Sequence, residues 1–218
     1  MPALELVGIH KAALAGFDLT VERGELVVLS GPSGAGKSVA LRIIAGLETP
    51  TAGRVLFAGA DVTDLPSAQR DVAIVSQGAA LYAHLSVYEN LAFALRVRHV
   101  DAAELARRVE HVAADLAITH LLARWPEHLS AGERQRVAIG RALARRPRLF
   151  LFDEPLSSLD SMARVAVRHA ILRAHRDSGA TTVYATHDEG DAAALGDRVV
   201  ALAIPTTGCE PSRGRACS

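Results

Sequence analysis

Glu25-Leu-Val-Val-Leu-Ser30 runs directly into Gly31-Pro-Ser33-Gly34-Ala35-Gly36-Lys37-Ser38, and then into Val39-Ala-Leu-Arg-Ile-Ile-Ala45. The first segment is short and apolar, the pattern of a strand buried on both faces. Ser38–Ala45 has helical spacing, and Gly46 stands where a helix C-cap belongs. The segment between them fits G-x-x-x-x-G-K-[ST]. Its glycines let backbone N–H groups turn inward around the β- and γ-phosphates of a nucleotide, and the helix that follows points its positive end at them. Lys37 supplies a compact cation for the phosphates, and the Ser38 hydroxyl is suited to ligate Mg²⁺. A glycine-rich turn with no ligand would need neither residue.

Outward from this unit, Arg54–Ala58 and Asp71–Ser76 read as further strands. From about Leu81 to Arg146 long Ala/Leu/Arg stretches with helical periodicity take over, notably Ala102–Ala117. Strands return at Leu149–Phe152 and Thr181–Thr186, separated by a helix over Met162–Asp177, and Asp197–Ala203 reads as a last strand. Strands alternating with helices predict an α/β fold with a mostly parallel sheet covered on both faces. The helical stretch in the middle predicts an inserted helical lobe, about 81–146. Residues 204–218 are rich in Pro, Gly, Ser and Thr without periodicity and read as a disordered tail.

Composition narrows the function. The 218 residues balance 24 basic against 24 acidic groups, where a protein built to neutralise nucleic-acid phosphates would carry a basic excess. No apolar run reaches the roughly 18–20 residues that span a bilayer, and no signal peptide opens the chain. Cys209 and Cys217 both lie in the last ten residues, which suits a reducing cytoplasm, and the histidines show no metal-ligand spacing. Lys11 and Lys37 are the only lysines among many arginines.

Three further segments carry chemistry. Leu149-Phe-Leu-Phe-Asp153-Glu154 is an apolar strand ending in adjacent carboxylates. Asp153 is placed to hold Mg²⁺ beside the phosphate loop, and Glu154 to orient or deprotonate a water. Leu129-Ser130-Ala131-Gly132-Glu133 opens a helix over Arg134–Arg146. Ser130 and Glu133 have the spacing of a capping box, and the same geometry makes an anion site; spacing alone leaves both open. His187 follows the strand Thr181–Thr186, at the sheet edge where ligands of open parallel sheets bind. A structural histidine fits that position equally well, and a solvated loop amide is the default for Gln77, after Asp71–Ser76.

Taken in order, these segments resemble the nucleotide-binding subunit of an ATP-binding cassette (ABC) transporter. The resemblance covers roughly residues 4–203: a Walker A loop at Gly31–Ser38, a Q-loop at Gln77, a signature at Leu129–Glu133, a Walker B strand at Leu149–Glu154, a D-loop Ser157-Ser-Leu-Asp160 and a switch histidine at His187. It implies a P-loop NTPase core with an N-terminal antiparallel β portion, and ATP and Mg²⁺ as ligands. Gly31, Ser33, Gly34, Ala35, Gly36, Lys37, Ser38, Val39 and Gln77 would bind ATP, with Ser38, Gln77 and Asp153 at the metal. Glu154 would be the catalytic base, with Lys37 and His187 at the γ-phosphate. Ser130, Ala131, Gly132 and Glu133 would cover the ATP of a second cassette subunit, taken as another copy of the chain, and Asp160 would communicate across that dimer.

Leu81–Phe93, Arg134–Arg141 and Phe150–Ser157 are similar in detail to cassettes of bacterial carbohydrate importers of the maltose and glycerol-phosphate type. That likeness implies integral membrane permease partners, a solute-binding protein, no nucleic acid, and a peripheral position on the cytoplasmic face of the cell membrane. Three departures stand out. The segment Ile9–Phe17 looks shortened and lacks the family's adenine-stacking aromatic, for which His10 is a weak substitute. Ala131 stands where glycine is usual, without glycine's freedom at positive φ. The regulatory β-barrel domain usual in such importers does not follow the last strand, which fits a naturally short cassette or a truncated product. A non-hydrolysing nucleotide-binding subunit is the alternative. A soluble cassette acting on DNA or ribosomes fits less well, since those carry long insertions or tandem cassettes.

Overall fold

A computed structural model describes residues 1–78 and 80–204. The central sheet has five parallel strands in the order β6-β7-β8-β3-β9. They are β3 (Leu26–Ser30), β6 (Val72–Val75), β7 (Leu149–Asp153), β8 (Thr181–Thr186) and β9 (Arg198–Ala201). Alternation along each strand explains why the inner strands are largely apolar on both faces, while the edge strand β9 is partly exposed. Val27 and Leu29 of β3, Leu149 and Leu151 of β7 and Val183 of β8 enter one core. Their sequence neighbours Leu26, Val28, Phe150, Phe152 and Tyr184 enter the other. Because a strand's side chains point to alternate faces, a sheet covered on both sides has no solvent-facing positions to make polar.

The first core lies under helix α1 (Lys37–Ala45) and a four-stranded antiparallel sheet of order β2-β1-β4-β5. Its strands are β1 (Leu4–Lys11), β2 (Leu14–Val21), β4 (Ala52–Phe57) and β5 (Ala60–Asp61). The second core lies under α2 (Val87–Val97), α3 (Ala102–Asp115), α4 (Ala131–Arg145), α5 (Ser161–Ser178) and α6 (Glu189–Leu195). Phe150 and Phe152 stack with ring centroids 5.8 Å apart, and each is 1% exposed. Truncating either to alanine would cost about 3–5 kcal/mol, the usual penalty for a buried ring.

The α/β architecture, the parallel core sheet, the antiparallel N-terminal sheet and the strand-free stretch before β7 agree with the sequence. The strand read at Arg54–Ala58 is observed at Ala52–Phe57, while β1 and β2 were not read as individual strands. Gly46 caps α1 at φ 71°, as expected. The short helix α6 was missed because its apolar residues are too few to show a period. The tail reading and the two cysteines lie outside the described residues, apart from Ile204. None of the helices among the described residues is long and apolar enough to cross a membrane.

Candidate active site

The parallel register brings the C-terminal ends of the strands to one edge. Ser30 pairs with Thr186, Asp153 with Ala185 and Val75 with Phe152, so the loops after β3, β6, β7 and β8 open together. Gly31–Gly36 fills the first loop. At Gly31 the Leu202 carbonyl approaches so closely that any Cβ would overlap it. Gly36, at φ 97°, is the N-cap of α1, and a Cβ there would stand 2.7 Å from Leu14 Cδ2. Side chains are therefore shut out of both ends of the loop.

Among the six α-helices of the described residues, α1 alone has no side chain bonded at its N-terminus. The others are closed by Ser86, Asp101, Ser130, Asp160 and Asp188. No acidic residue stands in the first turn of α1 either, so its positive end is left for an external anion.

The side chains around this end form one connected set. Lys37 Nζ donates to the carbonyls of Gly31 at 2.7 Å and Pro32 at 3.1 Å, so the ammonium holds the loop curled around itself. It also lies 3.8 Å from Glu154 Oε1. Ser38 Oγ donates to Asp153 Oδ1 at 2.8 Å, joining the start of α1 to the end of β7. Burial pushes the Asp153 carboxyl above its ordinary range; the Ser38 hydrogen bond pulls it back in part, and neighbouring Glu154 raises it again. A hydroxyl and a buried carboxylate oxygen in contact are the donor set that a hard divalent cation such as Mg²⁺ takes.

Glu154 has a left-handed backbone at φ 50°, costly for a residue with a side chain, about 1–3 kcal/mol. Its N–H donates to the Ala185 carbonyl at 3.0 Å, and its own carbonyl accepts from Ser157 Oγ at 2.9 Å. These bonds turn the chain at the end of β7 and leave the carboxylate between Lys37 and His187. His187 Nδ1 lies 2.8 Å from Glu154 Oε1, while its ring is 60% exposed.

The remaining predicted residues are placed as follows. Ser33, Gly34 and Ala35 are in the loop, and Val39 is in the first turn of α1. Gln77 is exposed just beyond β6 and makes no hydrogen bond among the described residues. Ser130 and Glu133 form the complete capping box, with Ser130 N to Glu133 Oε2 at 2.7 Å and Glu133 N to Ser130 Oγ at 3.2 Å. That bonding holds the Glu133 carboxyl below its usual range.

Helix α4 begins at Ala131, three residues earlier than expected, and neither Ala131 nor Gly132 has positive φ. The concern over Ala131 is thereby removed, because a first-turn helical residue needs no left-handed freedom. A Cβ added at Gly132 would stand 3.5 Å from Leu159 Cδ2 and 3.6 Å from the Ser158 carbonyl, in ordinary contact. Asp160 caps α5 by accepting from Ala163 N at 2.9 Å. Among the described residues, no hydrogen bond or ion pair ties Ser130–Glu133 or Asp160 to the Gly31–Ser38 loop of the same chain.

Three features were not read from the sequence. The Gln135 amide, 2% exposed, donates to the Pro155 carbonyl at 3.0 Å and ties α4 to the turn after Glu154. Arg164 pairs with Asp188 at 2.9 Å, fixing α5 to the segment after His187. A cavity of about 310 Å³ also lies beside Ala35, between the β1–β2 hairpin and Ala201–Ala203, and Phe17 is the ring that lines it. The hairpin turn itself, at Ala12 and Ala13, has no aromatic residue, and His10 is bonded to the Gly8 carbonyl at 3.0 Å.

The ABC transporter family profile matches residues 14–157, well over half of the chain. The chain belongs to the ABC transporter family. This ABC chain is 50% identical over 187 residues to the sn-glycerol-3-phosphate import ATP-binding protein UgpC of Bordetella avium, covering 86% of this chain and 52% of that protein. It is 49% identical over 195 residues to the diacetylchitobiose uptake system ATP-binding protein MsiK of Streptomyces coelicolor, covering 89% and 52%. The chain thus spans about half the length of the curated relatives it matches. Its fold superposes with TM-score 0.84 and 28% identity on a dimeric ATP-binding cassette solved in a post-hydrolysis state with ADP and Pi, covering 93% and 97% of the two chains. These likenesses agree with an ABC ATP-binding subunit close to carbohydrate importers.

Proposed function

We propose that the chain is the ATP-binding and ATP-hydrolysing subunit of a solute importer that takes a sugar or a glycerol-phosphate-like substrate. The observation that carries this is the uncapped N-terminus of α1, with Lys37, the Ser38–Asp153 pair and the Lys37–Glu154–His187 cluster around it. The substrate class rests on the names of UgpC and MsiK.

In this reading the loop N–H groups and Lys37 bind the β- and γ-phosphates, and Lys37 exchanges its carbonyl partners for phosphate oxygens. Ser38 and Asp153, with Gln77, hold Mg²⁺, which when bound neutralises charge on the phosphates. The Glu154 carboxylate orients the attacking water and takes its proton. His187 holds Glu154 in place and reaches the γ-phosphate from its exposed edge. The base occupies the cavity beside Ala35, against Phe17, rather than His10.

A second copy of the chain supplies Ser130, Ala131, Gly132 and Glu133 over the γ-phosphate, with Asp160 across the interface. Such a sandwich closes only while that phosphate is present, so hydrolysis reopens it and moves attached permease subunits. The cassette then works on the cytoplasmic face of the membrane, with a solute-binding protein delivering substrate from the other side. The test is a Mg²⁺-dependent ATPase assay of the full chain together with ATP binding by calorimetry. ATP binding with turnover is expected; a wild-type chain that binds no nucleotide would overturn the reading.

A further inference from the structure

A cavity of about 670 Å³ lies near the N-terminal ends of β6, β7 and β8, away from the phosphate loop. Four arginines line it, Arg23, Arg70, Arg146 and Arg148, against one carboxylate, Asp71. Asp71 is already engaged by Arg98 and Arg145. Arg70 is buried, and its guanidinium donates to the carbonyls of Ile43, Ile44, Thr63 and Leu65, so it adds charge with most of its donors already engaged. Arg23, Arg146 and Arg148 are exposed and have no hydrogen-bond or ion-pair partner for their side chains among the described residues. In a chain of zero net charge, this concentration of one sign is a local feature rather than a reflection of composition.

The ordinary explanation falls short. Cations offset the negative ends of helices, and α4 and α5 both end beside this cavity. Those ends carry about half a charge each, roughly one in total against three free guanidinium groups. Arg145 moreover stands in the last turn of α4 already. Arg146 closes α4 at φ 48°, a left-handed conformation that glycine adopts freely and a side chain disfavours by about 1–2 kcal/mol. Glycine takes the same conformation at the ends of α1 and α5, at Gly46 and Gly179, so Arg146→Gly suits this backbone.

We infer that this cavity binds a small molecule carrying two phosphate groups. Guanidinium forks grip phosphate oxygens in pairs, and two phosphates at roughly −1.5 to −2 each match the three free arginines. The volume is that of a small-molecule site, within the usual range of about 300–1,000 Å³. Phe57 and Val62 supply an apolar wall. The site does not depend on nucleotide hydrolysis. It stands where β7 begins at Leu149, the strand that ends on Asp153.

The test is calorimetric titration of the full chain with inorganic pyrophosphate, without divalent metal, at low salt. Wild type should bind two pyrophosphates, one at the phosphate loop and one here. Lys37→Ala should keep only the second, and adding Arg146→Gly with Arg148→Ala should weaken that one at least tenfold. Arg146→Gly should unfold at the same temperature as wild type or higher, since glycine suits that backbone, which separates lost binding from lost folding. A Lys37→Ala chain that binds no pyrophosphate, or one whose binding is unmoved by the arginine changes, would overturn the inference.

Discussion

His187 Nδ1 and Glu154 Oε1 lie 2.8 Å apart across 33 residues of sequence, linking the ends of adjacent strands β8 and β7. With Lys37 Nζ 3.8 Å from the same Glu154 oxygen, the carboxylate is held from two sides at the mouth of the phosphate loop. Removing the imidazole therefore removes an anchor rather than the base itself. His187→Ala should lower ATP turnover by about 100-fold, the cost of a misplaced reacting group, with the Kd for ATP changed little. Turnover and calorimetric binding measured on the same preparation check this; an equal loss of binding would contradict the anchoring role.

Lys37 donates to two loop carbonyls from a site only 6% exposed. A slim ammonium fits there, whereas a planar guanidinium is bulkier and aims its donors differently. Lys37→Arg should weaken ATP binding and turnover by about 10–100-fold, the worth of one charge-assisted hydrogen bond, although charge is preserved. Near-normal activity in that variant would contradict the geometric argument.

Asp153 sets a pH dependence. Burial raises its folded-state pKa above the ordinary value of 3.8. Stability linked to its protonation is fully present below that ordinary value and is lost as pH rises through the folded-state value. Near pH 8 the ionised carboxylate is a cost, which Mg²⁺ would offset. Asp153→Asn should stabilise the nucleotide-free chain at pH 8 and raise its Tm. The gain should shrink as pH falls, and the Mg²⁺ response should vanish. Thermal scans from pH 4 to 8 measure both.

Phe17 lines the cavity beside the loop. If the base rests there, Phe17→Ala should raise the Kd for ATP about fivefold or more, in the range for one lost base–aromatic stack, and leave inorganic tripolyphosphate binding unchanged. Equal weakening of both ligands would place the base elsewhere.

Much of this site was legible because its signals are local. The phosphate loop needs its glycines, lysine and serine within eight consecutive residues, and Ser130 and Glu133 form their capping box within one helical turn. Strands β3, β7 and β8 were legible because burial on both faces favours runs of apolar and β-branched residues. The N-terminal hairpin was harder, since irregular register between Leu6 and His10 breaks the alternation of β1. Positive φ at Glu154 leaves no mark in composition, because it is imposed by the Ala185 carbonyl on another strand. The cavity at Phe17 and the arginine cluster around Asp71 join segments far apart in sequence, so no spacing rule reaches them.

The central claim, that ATP closes two copies of this chain until Glu154 promotes hydrolysis, is tested most directly by sedimentation of Glu154→Gln with Mg-ATP. Glutamine keeps the side chain's size and removes the base. The account predicts that this variant binds ATP, does not turn it over, and sediments as a stable dimer, while wild type returns to monomer as ATP is consumed. A Glu154→Gln chain that hydrolyses ATP like wild type, or that binds ATP and stays monomeric at every concentration, would contradict it.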